Sequence, residues 1–432
     1  MTHRELLLGD EALALGALHA GLSGVYAYPG TPSTEITEYI QGSALAKERG
    51  VHCLWSTNEK TAMEEALGMS FAGKRALVCM KHVGMNVAAD AFVNSGMTGA
   101  NGGLVVVAAD DPSMHSSQNE QDSRFYGKFS FIPVFEPSSQ QEAYEMVQEA
   151  FEFSERHGIP VLMRLTTRMA HSRAVVEVRE PKAQNELHYP AQTRQWVLMP
   201  GNSRNRYKKL LEEYAACERE AVESRFNPCT EGSDTSMGII ACGIGYNYLM
   251  ENYPDGCPYP VLKISQYPVP AEQIRHMAEK CRSLLVIEEG QPLVEESLRG
   301  ILPAQLPIRG RMTGELPRTG ELTPDCVRAA LGLPPLEAHA ASEIVVPRPP
   351  ALCQGCGHRD MYTALKEVVE EFDHAKVFSD IGCYTLGWLA RSMPSTPAST
   401  WAPRLRWPRV PPTPDSTPPS PSSATRPSPT RA

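Results

Sequence analysis

Short apolar runs separated by longer helical stretches fill the chain from Glu11 to Thr167, and that alternation leaves few folds open. The runs are Val25–Tyr28, Val51–Trp55, Ala76–Met80, Leu104–Ala109, Ile132–Phe135 and Pro160–Leu165. Helical patterns fall at Lys60–Phe71, Val87–Met97 and Gln141–Ser154. Runs this apolar have no solvated face, so helices must cover both sides of the sheet they form. The expected fold class is α/β, built on doubly wound parallel sheets. Ligands in such sheets sit beyond the carboxyl ends of the strands, so the turns there are where chemistry is expected.

The rest of the chain divides by pattern. Ser172–Thr235 is less regular, with a helical piece at Tyr207–Ser224. A second α/β pattern follows. It has strands at Met237–Cys242, Val261–Ile264 and Ser283–Ile287, a Gly243-Ile244-Gly245 turn, and a helix at Ala271–Cys281. Pro334 to Pro350 reads as a linker. A third unit opens at Ala351 with a cysteine-glycine turn, the helix Tyr362–Phe372 and the strand Lys376–Ser379. The expected boundaries are a first domain at 1–190, a connector at 191–235, a second domain at 236–333, a linker at 334–350, the start of a third domain at 351–388, and a tail at 389–432.

Composition narrows the function classes. A chain of 432 residues, 42% hydrophobic, has enough apolar content for several cores. The net charge is -9 and no long basic stretch precedes the tail, which argues against nucleic acid as a partner. Arg4, Glu5 and Asp10 stand where a secretory signal needs an apolar core. No apolar run approaches the roughly 20 residues of a membrane span. The 11 scattered cysteines read as buried thiols or cluster ligands, not as a disulfide framework. A cytoplasmic enzyme is the expectation.

Four segments carry possible chemistry. Tyr28-Pro29-Gly30-Thr31-Pro32-Ser33-Thr34-Glu35 follows the first strand and opens a helix, leaving a Thr31 or Ser33 hydroxyl to cap the helix or face the crevice. Asn58-Glu59-Lys60-Thr61-Ala62 follows the second strand; Glu59 is either an exposed capping acid or a buried acid facing a cofactor. Lys81-His82-Val83-Gly84 follows another strand, and His82, Asp110, Asp111 and His115 are each structural or functional by residue type alone. Their common placement at one sheet edge is what singles them out. Cys353-Gln354-Gly355-Cys356-Gly357-His358, followed by Ser379-Asp380-Ile381-Gly382-Cys383, reads as buried thiols in glycine turns, as an iron–sulfur ligand set, or as a zinc site with His358 as fourth ligand.

Taken in this order, the four segments resemble the α subunits of indolepyruvate ferredoxin oxidoreductases. Those proteins are thiamine-diphosphate-dependent 2-oxoacid:ferredoxin oxidoreductases. The resemblance runs from about Leu6 to Gly387. It implies a pyrimidine-binding first domain, a transketolase C-terminal-like second domain and the start of a diphosphate-binding third. It implies oxidative decarboxylation of an aryl 2-oxoacid such as indolepyruvate to an aryl acyl-CoA, with coenzyme A as co-substrate, a smaller β subunit, and ferredoxin as electron acceptor. The cofactors implied are thiamine diphosphate, Mg2+ and [4Fe-4S] clusters. Glu59 matches the carboxyl that hydrogen-bonds N1′ of the aminopyrimidine and is the catalytic acid. Thr31, Gly357, His358 and Asp380 join Glu59 as cofactor-binding residues, and Cys353, Cys356 and Cys383 match cluster-ligating positions. A different 2-oxoacid such as pyruvate, or a catalytically incompetent fragment of this subunit, are the alternatives.

The segment after Trp388 changes character. It is mostly Pro, Ser, Thr, Arg and Ala, without Gly, Lys, Glu or Ile, and is expected to be disordered. The family continues instead with an Asp-Thr segment, a Gly-Asp-Ser motif that helps hold magnesium, and a cysteine-rich ferredoxin-like region. An alternate reading frame, joining the last base of each codon to the first two of the next, permits the first two of these. In that frame Met393–Pro394 must encode Ala, Trp401–Ala402 must encode Gly, and Trp407–Pro408 must encode Ala. Ser392 through Arg404 permit the family's Asp-Thr run at every position, and Pro419 through Ala432 permit its Gly-Asp-Ser run. A frameshift near Trp388 is therefore expected in the gene or its sequencing.

Overall fold

Among the described residues, most strands and helices begin within five residues of where the alternation places them; the helix expected from Tyr207 begins earlier, at Pro200. The computed structural model describes residues 3–191, 194–303, 305–337, 342–346, 351–371 and 383–386. A first compact unit ends at residue 338 and a second follows it. In chain order the first unit opens with β1 (His3–Leu8), α1 (Gly9–His19), β2 (Gly24–Ala27), α2 (Thr34–Gly42), α3 (Ala44–Glu48), β3 (His52–Trp55) and α4 (Glu59–Phe71). It continues through β4 (Ala76–Lys81), α5 (His82–Thr98), β5 (Leu104–Asp110), α6 (Arg124–Ser130), β6 (Val134–Phe135), α7 (Gln140–His157), β7 (Val161–Thr166), α8 (Thr167–His171) and β8 (Arg173–Val178).

Next come α9 (Pro200–Glu223), β9 (Cys229–Thr230), β10 (Gly238–Cys242), α10 (Gly245–Met250), β11 (Val261–Ile264), β12 (Gln266–Tyr267) and α11 (Ala271–Lys280). The unit closes with β13 (Leu284–Ile287), α12 (Leu293–Ile301), β14 (Ile308–Arg309) and α13 (Pro324–Ala330). The second unit, taken by itself, contains α14 (Gly357–Glu370) and the short α15 (Cys383–Leu386) among its described residues.

Among the described residues, the first sheet has strand order β12-β6-β7-β5-β4-β2-β3. All its neighbours are parallel except β12, which pairs antiparallel with β6. The pleat sends alternate residues to opposite cores. Val25, Leu77, Cys79, Val105 and Val107 join α1, α2 and α7 on one face. Tyr26, Val78, Met80, Val106 and Ala108 join α4 and α5 on the other. Side chains such as Phe92, Phe135 and Phe151 are fully buried between these layers. Each stabilises the unit by roughly 1.5–3 kcal/mol relative to exposure.

The second sheet has order β14-β13-β10-β11-β9, parallel except for β9. β10, β11 and β13 match the three strands of the second α/β pattern, while the two-residue β9 and β14 were not expected from it. Residues 191–235, read as a connector, contain the 24-residue helix α9, whose Leu210, Cys217 and Ala221 are buried. Among the described residues β1 and β8 make a separate antiparallel pair. Asp380, the strand Lys376–Ser379 and the segment from Trp388 onward lie outside the described residues.

Candidate active site

The carboxyl edge of the first sheet is split between β2 and β4. The chain leaves β2 toward α2 on one face and leaves β4 toward α5 on the other, which opens a crevice between the two turns. The turn after β2 is tied internally. Ser33 Oγ donates to the Gly30 carbonyl at 2.7 Å and the Gly30 N–H donates to Thr34 Oγ1 at 2.9 Å. Its Thr31–Pro32 peptide is cis. Thr31 is exposed at the rim. The Lys81 ammonium donates to the Ser116 carbonyl and hydroxyl at 3.0 and 3.1 Å, and Ser116 Oγ donates to the Thr31 carbonyl at 3.5 Å. A Cβ built on Gly30 would stand 3.1 Å from the Lys81 Cβ, so the turns after β2 and β4 touch directly.

Glu59 is the first residue of α4. Asn58 caps this helix, its Oδ1 accepting the Thr61 N–H at 2.9 Å. The half-buried Glu59 side chain lies against the backbone of α5, where a Cβ on Gly84 would be 2.7 Å from both Glu59 Cγ and Oε1. Only glycine leaves room for the carboxylate there. Burial pushes the Glu59 carboxyl up, opposed by its own backbone N–H. Glu59, Gly84, Lys81 and Thr31 are thus brought to one edge. An acid kept partly from water, at a helix start beside a glycine, suits a hydrogen bond to a ring nitrogen of a bound cofactor.

The other residues singled out at this edge are placed differently. His82 is buried, and its Nε2 lies 3.2 Å from the Asn119 carbonyl. Asp111 organises its own loop, accepting from Ser117 Oγ at 2.6 Å, Thr167 Oγ1 at 2.6 Å and the Ser116 N–H at 2.8 Å. Burial would raise its carboxyl, but these hydrogen bonds hold it below the usual range. The partly exposed His115 side chain pairs with Glu321 at 3.4 Å.

Sequence reasoning missed a buried ion network under the same edge. Arg164 Nε donates to Asp110 Oδ2 at 2.5 Å, Nη1 to Glu136, and Nη2 to the Glu289 carbonyl at 3.1 Å. Arg124 donates to Asp122 at 2.6 Å, to Glu288 at 3.0 Å and to the Tyr267 hydroxyl at 3.2 Å. Tyr267 in turn donates to Glu136 at 2.9 Å. Burial pushes Asp110 and Glu288 up, and Glu289 up to about 7. Burial also acts on Asp122, but the Arg124 and Arg164 guanidiniums hold it at about 2. The signal was present in the sequence: Arg164 is the one charge inside Val161–Thr166, a strand buried throughout.

In the second unit, Cys356 caps α14 after a turn in which Gly355 has φ 71°. Gly357 and His358 are the first two residues of that helix. Cys356 Sγ lies 3.2 Å from His358 Nδ1. The Arg359 guanidinium donates to the Cys353 carbonyl at 2.8 Å. Cys353 and Cys383 are exposed, Cys356 is half-buried, and none is in a disulfide.

A doubly wound sheet with a half-buried glutamate at its carboxyl edge is the arrangement in which α/β proteins bind their ligands. The sequence pattern described as "Pyruvate flavodoxin/ferredoxin oxidoreductase, thiamine diP-bdg" matches residues 15–222. The chain is 41% identical over 399 residues to the indolepyruvate oxidoreductase subunit IorA of Archaeoglobus fulgidus, covering 88% of this chain and 64% of that protein. It is 41% identical over 414 residues to the IorA subunit of Pyrococcus abyssi, covering 89% and 62%. Along most of its length the chain is thus similar to indolepyruvate oxidoreductase IorA subunits, and residues 15–222 carry the thiamine-diphosphate-binding pattern of the pyruvate flavodoxin/ferredoxin oxidoreductases. It spans less than two thirds of the length of these curated relatives. Its fold is similar to that of a 2-oxoglutarate:ferredoxin oxidoreductase from Magnetococcus marinus, with a TM-score of 0.60 at 16% identity, covering 76% of this chain and 65% of that one.

Proposed function

We propose that this chain forms the pyrimidine-binding half of a thiamine diphosphate site. The proposed enzyme oxidatively decarboxylates an aryl 2-oxoacid of the indolepyruvate type to an aryl acyl-CoA and passes the electrons to ferredoxin. The observation that carries this reading is the placement of Glu59, which follows β3, against Gly84 in the helix that follows β4. The relatives named as IorA subunits support the substrate class, and their designation as subunits supports a smaller β partner. The structural neighbour was solved with 2-oxoglutarate, coenzyme A and succinyl-CoA, which supports coenzyme A as co-substrate. Among the described residues no helix is long and apolar enough to cross a membrane, and the proposed setting is the cytoplasm.

The residues fit the cofactor by their own chemistry. Thiamine diphosphate, when bound, supplies a nucleophilic carbon and a sink for the electrons released on decarboxylation. Glu59 would share a proton with the pyrimidine ring nitrogen, and its partial burial would strengthen that hydrogen bond. Gly84 keeps the carboxylate close to α5. The Lys81–Ser116–Thr31 contacts fix the rim that a substrate crosses. Residues 1–190 are assigned to the pyrimidine-binding domain, 236–333 to the transketolase-like domain and 351–388 to the start of the diphosphate-binding domain. Gly357, His358 and Asp380 are assigned to the diphosphate and Mg2+ side, and Cys353, Cys356 and Cys383 to a [4Fe-4S] cluster. The test is Glu59→Gln in the assembled enzyme: indolepyruvate- and coenzyme-A-dependent reduction of ferredoxin should fall at least 100-fold with the fold intact. Retained activity would end this assignment.

A further inference from the structure

Three side chains from three helices converge away from the Glu59 carboxylate: Asp10 at the start of α1, Glu35 in the first turn of α2, and His171 at the end of α8. One donor atom from each lies within 4.8 Å of the other two. Asp10 is 0% exposed, and among the described residues neither of its carboxylate oxygens has a hydrogen-bond partner. Glu35 Oε2 is also buried without a partner among the described residues. An unpartnered buried carboxylate is costly, and proteins place one where a ligand satisfies it.

The distances suit a cation. His171 Nε2 stands 3.6 Å from Glu35 Oε1, too far for a hydrogen bond. Two donors about 2.1 Å from one tetrahedral ion stand about 3.4 Å apart. Two carboxylates balance a doubly charged cation, and the mixed carboxylate–imidazole set suits borderline transition metals. The His171 and Glu35 side chains are each 35% exposed, which leaves an entry path and room for a water in the fourth position.

We propose that Asp10, Glu35 and His171 bind one divalent transition-metal ion of the zinc class. Glu35 ends the Tyr28–Glu35 turn that presents Thr31, so the ion ties α1, α2 and α8 to that turn. The site requires neither thiamine nor substrate.

The test uses the full chain carrying Cys353→Ser, Cys356→Ser and Cys383→Ser, so that those thiols do not compete, stripped with a chelator. Calorimetry with Zn2+ should give one saturable equivalent. Co2+ should give a visible ligand-field band without thiolate charge transfer. Asp10→Asn and His171→Gln should each weaken binding at least tenfold, and the rise in melting temperature produced by Zn2+ should vanish in both. Binding that is absent, or unchanged in the variants, overturns the proposal. Since His171 is partly exposed, His171→Gln keeps the test decisive if Asp10→Asn fails to fold.

Discussion

Replacing Arg164 by Met should remove a large part of the stability of the first unit. The guanidinium is fully buried and contacts Asp110, Glu136 and the Glu289 carbonyl. Methionine fills similar volume, so packing changes little, but three buried acceptors lose a donor. Asp110 then keeps only the Ser123 hydroxyl and N–H, and Glu136 keeps the Tyr267 hydroxyl and a longer approach from Arg124 at 3.8 Å. Breaking a buried ion pair from one side costs about 3–5 kcal/mol, against total stabilities of about 5–15 kcal/mol. Urea denaturation should show a lower midpoint at an unchanged slope. The loss should depend on pH. Asp110 already titrates above the usual carboxylate range, and removing Arg164 raises it further. A folded-state pKa above the unfolded one means stability is fully present below the unfolded value and is lost as pH rises. The deficit should therefore be smallest near pH 4 and widen toward pH 7. Arg164→Met with Asp110→Asn should recover about 1–3 kcal/mol of it, because the uncompensated charge is gone. A single variant within about 1 kcal/mol of the parent, or a double variant that loses the sum of both changes, would refute the reasoning.

Gly84→Ala drives a methyl into the Glu59 carboxylate; displacing that acid by about 1 Å should lower turnover of the assembled enzyme roughly 100-fold while circular dichroism stays unchanged. Burial raises Glu59, so Glu59→Gln should stabilise the fold at pH 7, and thermal melts should show that gain disappearing below about pH 4.3, the unfolded value. Glu289 titrates at about 7, so the parent should lose stability as pH rises from about 4.5 to 7, and melts of Glu289→Gln should show a flatter profile across that window. Asn58→Ala removes the cap of the helix that carries Glu59 and should cost about 1 kcal/mol in denaturant titration.

The parallel core was legible because its strands are long apolar runs between helices. The six runs from Val25 to Leu165 correspond to β2 to β7, and Val261–Ile264 is β11 to the residue. The positions of Glu59 and Thr31, in the segments that follow β3 and β2, were legible from the same pattern. What stayed hidden depends on distant partners. β1 is three polar residues followed by three leucines, without strand alternation, and is a strand because it pairs with β8, more than 160 residues later. Arg124 meets Glu288 across 164 positions, and Arg164 meets the Glu289 carbonyl across 125, so no local pattern marks either contact. β12 is two residues long and has no period to detect. Gly84 sat within a recognised segment, but that it makes room for Glu59 is visible only in three dimensions.

β12 has a further consequence, which concerns time. The edge that β6 presents is capped by Gln266 and Tyr267. On the ribosome, Val134 and Phe135 emerge roughly 130 residues before that cap, of order 10 s at about 5–20 residues per second. Throughout that interval the nascent first sheet carries an unpaired edge, the kind of edge that recruits strands from other chains. The stretch between β6 and its cap therefore sets how long that edge stays open during synthesis, and slow translation there prolongs the exposure.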